Sequence, residues 1–307
     1  MLLPPGLEAK IRAVWKEKGD DWADQFDHVL SLAVDKWNLS ELEPFPNLSF
    51  HFVAKARRGS EIVVLKLGIP EPCFKNEAEA LRAFKGGPVV KLLDWDGGLA
   101  AMLLHYVDPG IAFESTWSRA ADHQHTLDLC RTMVGLWREP PNVHQFESTR
   151  CLFEKLAPMD SPLDPHFVSA KLLWVMLEET SQETVLLHGD LHHGNVLRSA
   201  DGFTAIDPMG VVGDPAFDIM ALLHNPVQTT AEELVELLAD RLQTAAQVTG
   251  LDCQRLVDWG YCGNVLSLFW DLEDGGSVDT RCLPLVDALR ARSSLGHGGW
   301  TPATMGR

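Results

Sequence analysis

The fold is decided by the stretch Val185-Leu-Leu-His-Gly-Asp-Leu-His-His-Gly-Asn-Val-Leu197, which Thr204-Ala-Ile-Asp-Pro208 follows closely. Apolar residues at both ends of the first stretch predict two short buried strands with a polar loop between them. A further apolar step before Asp207 predicts a third strand, which the following proline ends. Acidic and amide side chains therefore stand at strand ends beside loops that contain glycine, a placement typical of functional sites.

Four residues separate Asp190 from Asn195, and this is the spacing of the catalytic loop of protein kinases. In those enzymes the Asp accepts the proton of the attacking hydroxyl group, the Asn holds one metal ion and a further Asp holds the second. Asp207 stands where that further Asp would stand. Because Mg²⁺ prefers oxygen ligands, the pattern predicts Asp190 as the catalytic residue and Asn195 and Asp207 as metal ligands.

The motif His188–Leu197, together with Ile206-Asp-Pro208 and Gly213-Asp-Pro215, resembles the aminoglycoside phosphotransferases. Within them it is most similar to the streptomycin 6-kinase type, which is grouped with hydroxyurea-resistance kinases. The resemblance covers nearly the whole chain and implies an α+β, protein-kinase-like two-lobe fold, in which Asp218 is a structural acid that bonds to the backbone of the catalytic loop. A small mixed α/β N-terminal lobe would span residues 1–105, and a mainly helical C-terminal lobe would span residues 106–307. The alternative is a structural loop whose acidic residues are accidental. Apolar periodicity over residues 7–18 and 21–37 predicts two leading helices in the first lobe.

Lys66 lies inside an apolar run that predicts a strand over residues 61–67. A lysine in such a run is costly to bury unless its charge meets a partner. The resemblance implies that Lys66 binds the α- and β-phosphates of ATP, and that Glu77, on a helix predicted over residues 76–84, braces it. Glu79 would point elsewhere on that helix. The alternative is an exposed lysine on an edge strand.

The stretch Leu103-Leu-His-Tyr-Val-Asp-Pro-Gly110 ends the predicted small sheet. The resemblance implies an inter-lobe hinge here, where backbone groups of His105, Tyr106 and Val107 pair with the adenine ring. An ordinary strand end is the alternative. The turn Pro46-Asn-Leu-Ser-Phe50 is the candidate for covering the phosphates. It lacks the glycine-rich sequence of protein kinases, so none of its residues is assigned.

A helix predicted over residues 253–270 ends in Trp270-Asp-Leu-Glu-Asp274. The resemblance implies that helices near the C-terminus wall the substrate site. Trp270, Asp271 and Glu273 are therefore candidate substrate residues, together with Asp190, which faces the hydroxyl group. Acidic side chains here could pair with guanidinium or ammonium groups of an aminoglycoside. A solvated helix end is the alternative.

The 307 residues include 43 acidic and 26 basic side chains, a net charge of −17. This charge argues against a nucleic-acid partner and permits a cationic substrate, although solubility alone also explains it. The six cysteines form no Cys-x-x-Cys motif and indicate reduced thiols. No apolar run approaches the ~18 residues of a membrane span, and no signal peptide is evident. We therefore expect a cytoplasmic, bacterial protein with no membrane partner and an oligomeric state that the sequence leaves open.

These features predict an ATP-dependent phosphotransferase that uses Mg²⁺ and phosphorylates a hydroxyl group of a small molecule. A streptomycin-like aminoglycoside is the leading substrate, with antibiotic resistance as the role. The alternatives are a kinase of hydroxyurea or of another small metabolite, and a nucleotide-binding protein of the same fold without kinase activity. Zinc is not expected, because His188, His192 and His193 lack the helical spacing of a zinc motif. His188 is instead expected to brace the loop through hydrogen bonds.

Overall fold

The computed structural model describes residues 3–46, 48–273 and 275–296. Asn47, in the turn expected to cover the phosphates, and Asp274, at the end of the expected substrate wall, lie outside the described residues. The chain divides into two compact units, Met1–Gly110 and Ile111–Arg307. The domain boundary expected between residues 105 and 106 stays a prediction.

The first unit begins with one long helix, α1 (Pro5–Trp37), whose helical conformation breaks at Lys16. Shortly after the break, a side-chain carbon on Gly19 would lie 2.4 Å from the carbonyl oxygen of Ile11. Only glycine permits this close approach of the two helical segments. The two leading helices expected from the sequence are therefore the two halves of α1.

Five strands and one further helix complete the first unit: β1 (Leu39–Pro44), β2 (Phe52–Arg58), β3 (Glu61–Leu67), α2 (Pro72–Ala83), β4 (Leu92–Asp96) and β5 (Ala101–His105). The strands form one antiparallel sheet in the order β1-β2-β3-β5-β4, so β3 is its central strand. Apolar side chains of α1 pack against one face of this sheet and form a continuous core with it. The sheet thus fixes the position of any residue that β3 carries.

In the sequence, Leu48, Phe50 and Phe52 alternate with polar residues, which predicts a strand that forms a hairpin with the strand over residues 61–67. The β2–β3 hairpin forms, but β2 begins only at Phe52, and Phe50 is 46% exposed. The buried positions along β2 are Phe52, Ala54 and Ala56. Small alanine side chains give a weak apolar signal, which explains the shift. β1 was not predicted, because its sequence shows no apolar alternation.

The second unit is mainly helical. Its helices are α3 (Phe113–Thr116), α4 (Asp122–Leu136), α5 (Thr149–Glu154), α6 (Asp164–Glu179), α7 (Ile219–His224), α8 (Ala231–Thr249), α9 (Cys253–Glu273) and α10 (Cys282–Arg292), with short 3₁₀ turns at Val143–Gln145 and Pro215–Asp218. Its strands are β6 (Pro109–Ala112, of which the last two residues belong to this unit), β7 (Glu147–Ser148), β8 (Val185–Leu187), β9 (Val196–Ser199), β10 (Gly202–Ala205) and β11 (Val211–Gly213). They form two three-stranded sheets, ordered β10-β9-β6 and β7-β11-β8.

A buried ion pair holds α4, α7 and α8 together. Arg241 on α8 is fully buried and donates hydrogen bonds to both carboxylate oxygens of Asp122 at 3.0 and 2.5 Å. It also donates to the carbonyl oxygens of Leu222, Leu223 and Asn225, which close the end of α7. These bonds satisfy a charge that would otherwise be expensive to bury.

Among the helices of the described residues, none combines the length and the apolar composition that a membrane span requires.

Candidate active site

In the second unit, the loop after β8 and the loop after β10 are tied together by hydrogen bonds. The backbone N–H of Ile206 donates to the carbonyl oxygen of Asn195 at 2.9 Å, and the N–H of Met209 donates to that of His188 at 2.8 Å. The imidazole Nε2 of His188 lies 2.9 Å from the carbonyl oxygen of Ile206. The segments that carry Asp190 and Asp207 therefore form one connected structure.

His188 is uncharged and supports both loops through hydrogen bonds of its side chain. Its side chain is fully buried, and its Nδ1 accepts the backbone N–H of Asp190 at 3.2 Å. Nε2 must therefore carry the proton and donate it to Ile206. Burial lowers the pKa of His188 to about 4, which keeps the ring uncharged at neutral pH. This bracing role agrees with the prediction for His188.

Asp218 accepts hydrogen bonds from the backbone of the same loop. Its carboxylate accepts hydrogen bonds from the backbone N–H groups of Gly189 at 2.7 Å and His188 at 3.3 Å, and from the indole N–H of Trp137 at 2.9 Å. Burial raises its pKa to about 6, although the three hydrogen bonds oppose the shift. Asp218 thus bonds to the backbone of the loop, as the resemblance implied, and is a structural acid.

Asn195 holds the side chain of Asp190. Its amide nitrogen donates to the backbone oxygen of Asp190 at 2.9 Å and to the carboxylate Oδ2 at 3.2 Å. The carbonyl oxygen of the Asn195 amide is then the atom that could bind a cation. Oδ1 of Asp190 accepts no hydrogen bond from any described residue, so it is the oxygen that could receive a proton from a substrate.

Two effects raise the pKa of Asp190: burial, and then the negative charge of Asp207. The hydrogen bond from Asn195 opposes them. The Asp190 side chain is 48% exposed, so solvent moderates the shift. A cation bound near both Asp190 and Asp207 would favour the charged form of each carboxylate.

Asp207 has a left-handed backbone, with φ of 56°. This conformation is uncommon for a residue other than glycine and costs free energy, and such strain is concentrated at functional sites. Its carboxylate and the amide oxygen of Asn195 are hard oxygen donors, which suit Mg²⁺. Within the described residues, no three His, Cys, Asp or Glu side chains form a group that could hold a metal. One carboxylate and one amide oxygen fit an ion such as Mg²⁺, which usually takes its other ligands from phosphate and water.

In the first unit, Lys66 and Glu77 form a buried ion pair. Lys66 is 1% exposed on the central strand β3, and its Nζ lies 2.7 and 2.8 Å from the two carboxylate oxygens of Glu77 on α2. Glu79 instead pairs with Arg82 at 2.8 Å. The alternative of an exposed edge-strand lysine is therefore wrong. The role of Lys66 and Glu77 in binding phosphate stays a prediction.

The predicted hinge residues follow the end of the sheet in the first unit. His105 is the last residue of β5, is exposed, and donates its backbone N–H to the carbonyl oxygen of Lys91 at 2.9 Å. Tyr106 and Val107 follow it outside any strand and are half-buried. Their contact with adenine stays a prediction.

The predicted substrate residues Trp270, Asp271 and Glu273 occupy the last turn of α9 in the second unit. Trp270 and Asp271 are half-buried, whereas Glu273 is exposed. The carboxylate of Asp271 accepts the backbone N–H of Asp279 at 3.1 Å, which ties the end of α9 to the segment before α10. Their contact with a substrate stays a prediction.

Two further residues lie at the catalytic loop that the sequence did not assign to the site. His192 places its Nε2 3.7 Å from Oδ2 of Asp190. Glu114 is the second residue of α3, and its N–H joins that helix to the loop by donating to the carbonyl oxygen of His193 at 2.9 Å. The sequence offered a signal for His192, which lies inside the motif. It offered none for Glu114, which is distant along the chain.

Comparison with known proteins gives one family. The model of the aminoglycoside/hydroxyurea antibiotic resistance kinases matches residues 42–275. The streptomycin 6-kinase of Streptomyces glaucescens is 26% identical over 300 residues, which cover 94% of this chain and 97% of that protein. The hydroxyurea phosphotransferase of Kitasatospora aureofaciens is 28% identical over 282 residues, which cover 87% of this chain and 78% of that protein.

Solved structures share the fold. The choline kinase LicA from Streptococcus pneumoniae has a TM-score of 0.60 at 15% identity and covers 86% of this chain and 99% of its own. A thermostable mutant of the aminoglycoside phosphotransferase APH(4)-Ia, in complex with ADP and hygromycin B, has a TM-score of 0.60 at 14% identity, with coverage of 84% and 97%. This likeness confirms the predicted protein-kinase-like fold class, with a small sheet-containing unit followed by a mainly helical one.

Proposed function

Because the chain belongs to the aminoglycoside/hydroxyurea antibiotic resistance kinase family, we propose that it transfers the γ-phosphoryl group of ATP to a hydroxyl group of a small molecule. The observation that carries this proposal is the pairing of Asp190 with Asn195 beside the charge of Asp207. Phosphoryl transfer needs a base for the acceptor hydroxyl group and oxygen ligands for a cation, and these three side chains can supply both.

Asp190 is the base in this proposal. Its Oδ2 is held by Asn195, so Oδ1 is the oxygen that takes the proton of the acceptor. A raised pKa makes the carboxylate a stronger base, which helps because an alcohol is a very weak acid. The transition state of phosphoryl transfer is loose, so positioning of the hydroxyl group contributes more than its deprotonation.

Asn195 and Asp207 would hold Mg²⁺ through the amide oxygen and the carboxylate. Two protein ligands are typical for this ion, which completes its octahedral coordination with phosphate oxygens and water. When bound, Mg²⁺ neutralises the negative charge of the β- and γ-phosphates. The bonds from the loop of Asp207 to His188 and Asn195 hold the two ligand-bearing segments in register.

The first unit would bind the rest of the nucleotide. Lys66, held by both oxygens of Glu77, would place its ammonium group against the α- and β-phosphates. Backbone groups of His105, Tyr106 and Val107 would pair with the adenine ring. The choice of ATP is supported by the nucleotide in the complex of APH(4)-Ia, a protein of the same fold.

The proposed acceptor is a streptomycin-like aminoglycoside, so the role is antibiotic resistance in a bacterial cytoplasm. Streptomycin 6-kinase of Streptomyces glaucescens matches this chain over almost its full length. Trp270, Asp271 and Glu273 would contact the cationic substrate. Hydroxyurea is the second candidate, because the relative from Kitasatospora aureofaciens is a hydroxyurea phosphotransferase. A protein without kinase activity is no longer an alternative, because the family is one of kinases.

The test is ADP release by the purified chain with ATP and Mg²⁺ against streptomycin, other aminoglycosides, hydroxyurea and choline. We expect turnover with streptomycin well above the rate with water alone, and a product heavier than streptomycin by one phosphoryl group. Turnover with hydroxyurea alone would show that hydroxyurea, and not streptomycin, is the acceptor, and the proposed phosphotransferase activity would stand. ATP binding without turnover on any of these acceptors would contradict the proposed function.

A further inference from the structure

His192 and Asn195 both lie near the same carboxylate oxygen of Asp190. The Nε2 of His192 lies 3.7 Å from Oδ2 of Asp190, the oxygen that also accepts the amide N–H of Asn195 at 3.2 Å. The His192 side chain is 22% exposed, so its ring is largely enclosed by protein. Oδ2 is therefore approached by two side chains, whereas Oδ1 is approached by none among the described residues.

The tautomer of His192 follows from a second contact. Its Nδ1 lies 3.0 Å from the backbone nitrogen of Gly194 and accepts that N–H. A ring nitrogen that accepts a hydrogen bond carries no proton, so the proton of the neutral ring is on Nε2. This proton is on the nitrogen that lies 3.7 Å from Oδ2 of Asp190.

The ring of His192 has little freedom to turn away. A side-chain carbon on Gly194 would lie 2.8 Å from Cε1 and 3.2 Å from Nδ1 of His192, and 3.2 Å from Oε2 of Glu114. The ring thus packs directly on the backbone of Gly194, and only glycine leaves that space. The same carbon would meet Glu114, so the carboxylate of Glu114 lies on the same patch of backbone.

From this geometry we propose that His192 is a positioning residue, whose Nε2–H and the amide of Asn195 together fix Oδ2 of Asp190 and so direct Oδ1 at the acceptor hydroxyl group. The proposal rests on the proposed function. A distance of 3.7 Å is too long for a hydrogen bond, but contacts of this kind are often long without substrate and shorten in the reactive complex.

Two substitutions separate this role from a purely structural one. His192→Gln places an N–H near the position of Nε2 but removes the acceptor at Nδ1. His192→Asn keeps an acceptor near Nδ1 for Gly194 but has no group near Nε2. If His192 only supports the loop through its bond to Gly194, the Asn variant should be the more active of the two. If His192 donates to Asp190, the Gln variant should be the more active.

The experiment measures kcat and KM for ATP and streptomycin in the full chain, with thermal unfolding as a check of folding. We expect His192→Asn to lower kcat by about 10- to 100-fold, the range for losing one hydrogen bond to a charged group, with KM for ATP unchanged. His192→Gln should stay within about threefold of wild type. The proposal is overturned if the Asn variant keeps the wild-type kcat or if the Gln variant is the poorer of the two.

Gly194→Ala provides an independent arm, because its new methyl group pushes on the His192 ring. It should lower kcat with little change in KM for ATP, whereas Gly6→Ala, where an added carbon meets nothing within 4 Å, should change neither. Wild-type kcat in Gly194→Ala would contradict the enclosed geometry of the ring.

The tautomer is tested without turnover, which separates this proposal from the proposed function. Long-range ¹H–¹⁵N spectra of histidine-labelled protein, assigned with the His192→Gln variant, should show His192 with its proton on Nε2. A proton on Nδ1 would overturn the proposal even in an active enzyme. If the wild type phosphorylates no acceptor, the proposed function fails, and the spectrum still decides whether His192 presents its N–H to Asp190.

Discussion

Glu77 in the first unit and Asp218 in the second are both buried carboxylates, and the protein compensates their charge in different ways. Glu77 is 6% exposed and binds the ammonium group of Lys66 with both oxygens. Asp218 is 1% exposed and accepts three neutral N–H groups, from Gly189, His188 and Trp137. One carboxylate fixes a cation, and the other fixes the backbone of a loop.

The difference extends to the chemistry of each region. In the first unit the protein supplies a positive charge at a defined place on a central strand. In the second unit the Asp190 carboxylate accepts a hydrogen bond from the neutral amide of Asn195 and lies near His192, and the charge of Asp207 raises its pKa further. A nucleotide that binds together with Mg²⁺ would bring a positive charge to carboxylates of this kind.

The largest expected effect is on catalysis, at Asp190 in the second unit. Asp190→Ala should lower kcat by about 10²- to 10⁴-fold, the usual contribution of a general base, and leave ATP affinity within about threefold of wild type. Steady-state kinetics with streptomycin and calorimetric ATP titration measure the two quantities. Full turnover in Asp190→Ala would show that another group is the base.

The second effect is on stability in the first unit. Glu77→Gln should lower the free energy of unfolding by about 3–5 kcal/mol, because it removes the carboxylate charge that lies 2.7 Å from the buried ammonium group of Lys66. The double variant Lys66→Met/Glu77→Leu should recover most of that loss, since it removes both charges of the pair. Urea unfolding measures all three proteins, and equal destabilisation of the single and double variants would contradict the account.

The third effect is a pH dependence that distinguishes Asp218 from Glu77. The pKa of Asp218 is raised to about 6, above the ~3.9 of an unfolded chain, so its contribution to stability is full below pH ~4 and is lost as pH rises through 6. The loss amounts to roughly 3 kcal/mol between those limits. Relative to Asp218→Asn, the wild type should therefore become less stable from pH 4 to 7. A difference between the two proteins that does not change with pH would refute this assignment.

The smallest effect is expected at the end of α9. Asp271 is half-buried and Glu273 exposed, so charge pairs with a substrate there are weakened by solvent. Glu273→Gln should raise KM for streptomycin by about twofold to fivefold, equivalent to 1 kcal/mol or less, without changing kcat. Steady-state kinetics at two salt concentrations measure it, and an unchanged KM at low salt would remove Glu273 from the substrate site.

The sequence predicted what depends on local pattern. The motif that contains Asp190, Asn195 and Asp207 indicated the family and, through it, the fold class. Both predictions are confirmed, and so is the assignment to a phosphotransferase. The apolar run around Lys66 correctly placed it inside a strand. The roles of the individual site residues stay predictions.

The sequence did not predict what depends on contacts between distant residues or on backbone geometry. Asp207 has a left-handed conformation, in a loop whose Met209 and Gly210 donate backbone N–H groups to the carbonyl oxygen of His188. The ring of His192 is held by a hydrogen bond from the backbone N–H of Gly194. Glu114 lies close to Gly194, and its own N–H binds the carbonyl oxygen of His193. None of these contacts leaves a periodic signal in the sequence.

The central claim is that Asp207 binds Mg²⁺ together with the nucleotide. The most direct test is calorimetric titration of ATP into wild type and Asp207→Asn, each with Mg²⁺ and with EDTA. We predict that Mg²⁺ strengthens ATP binding to the wild type at least about tenfold, equivalent to 1.4 kcal/mol, and has little effect on Asp207→Asn. The same Mg²⁺ dependence in both proteins would contradict the claim.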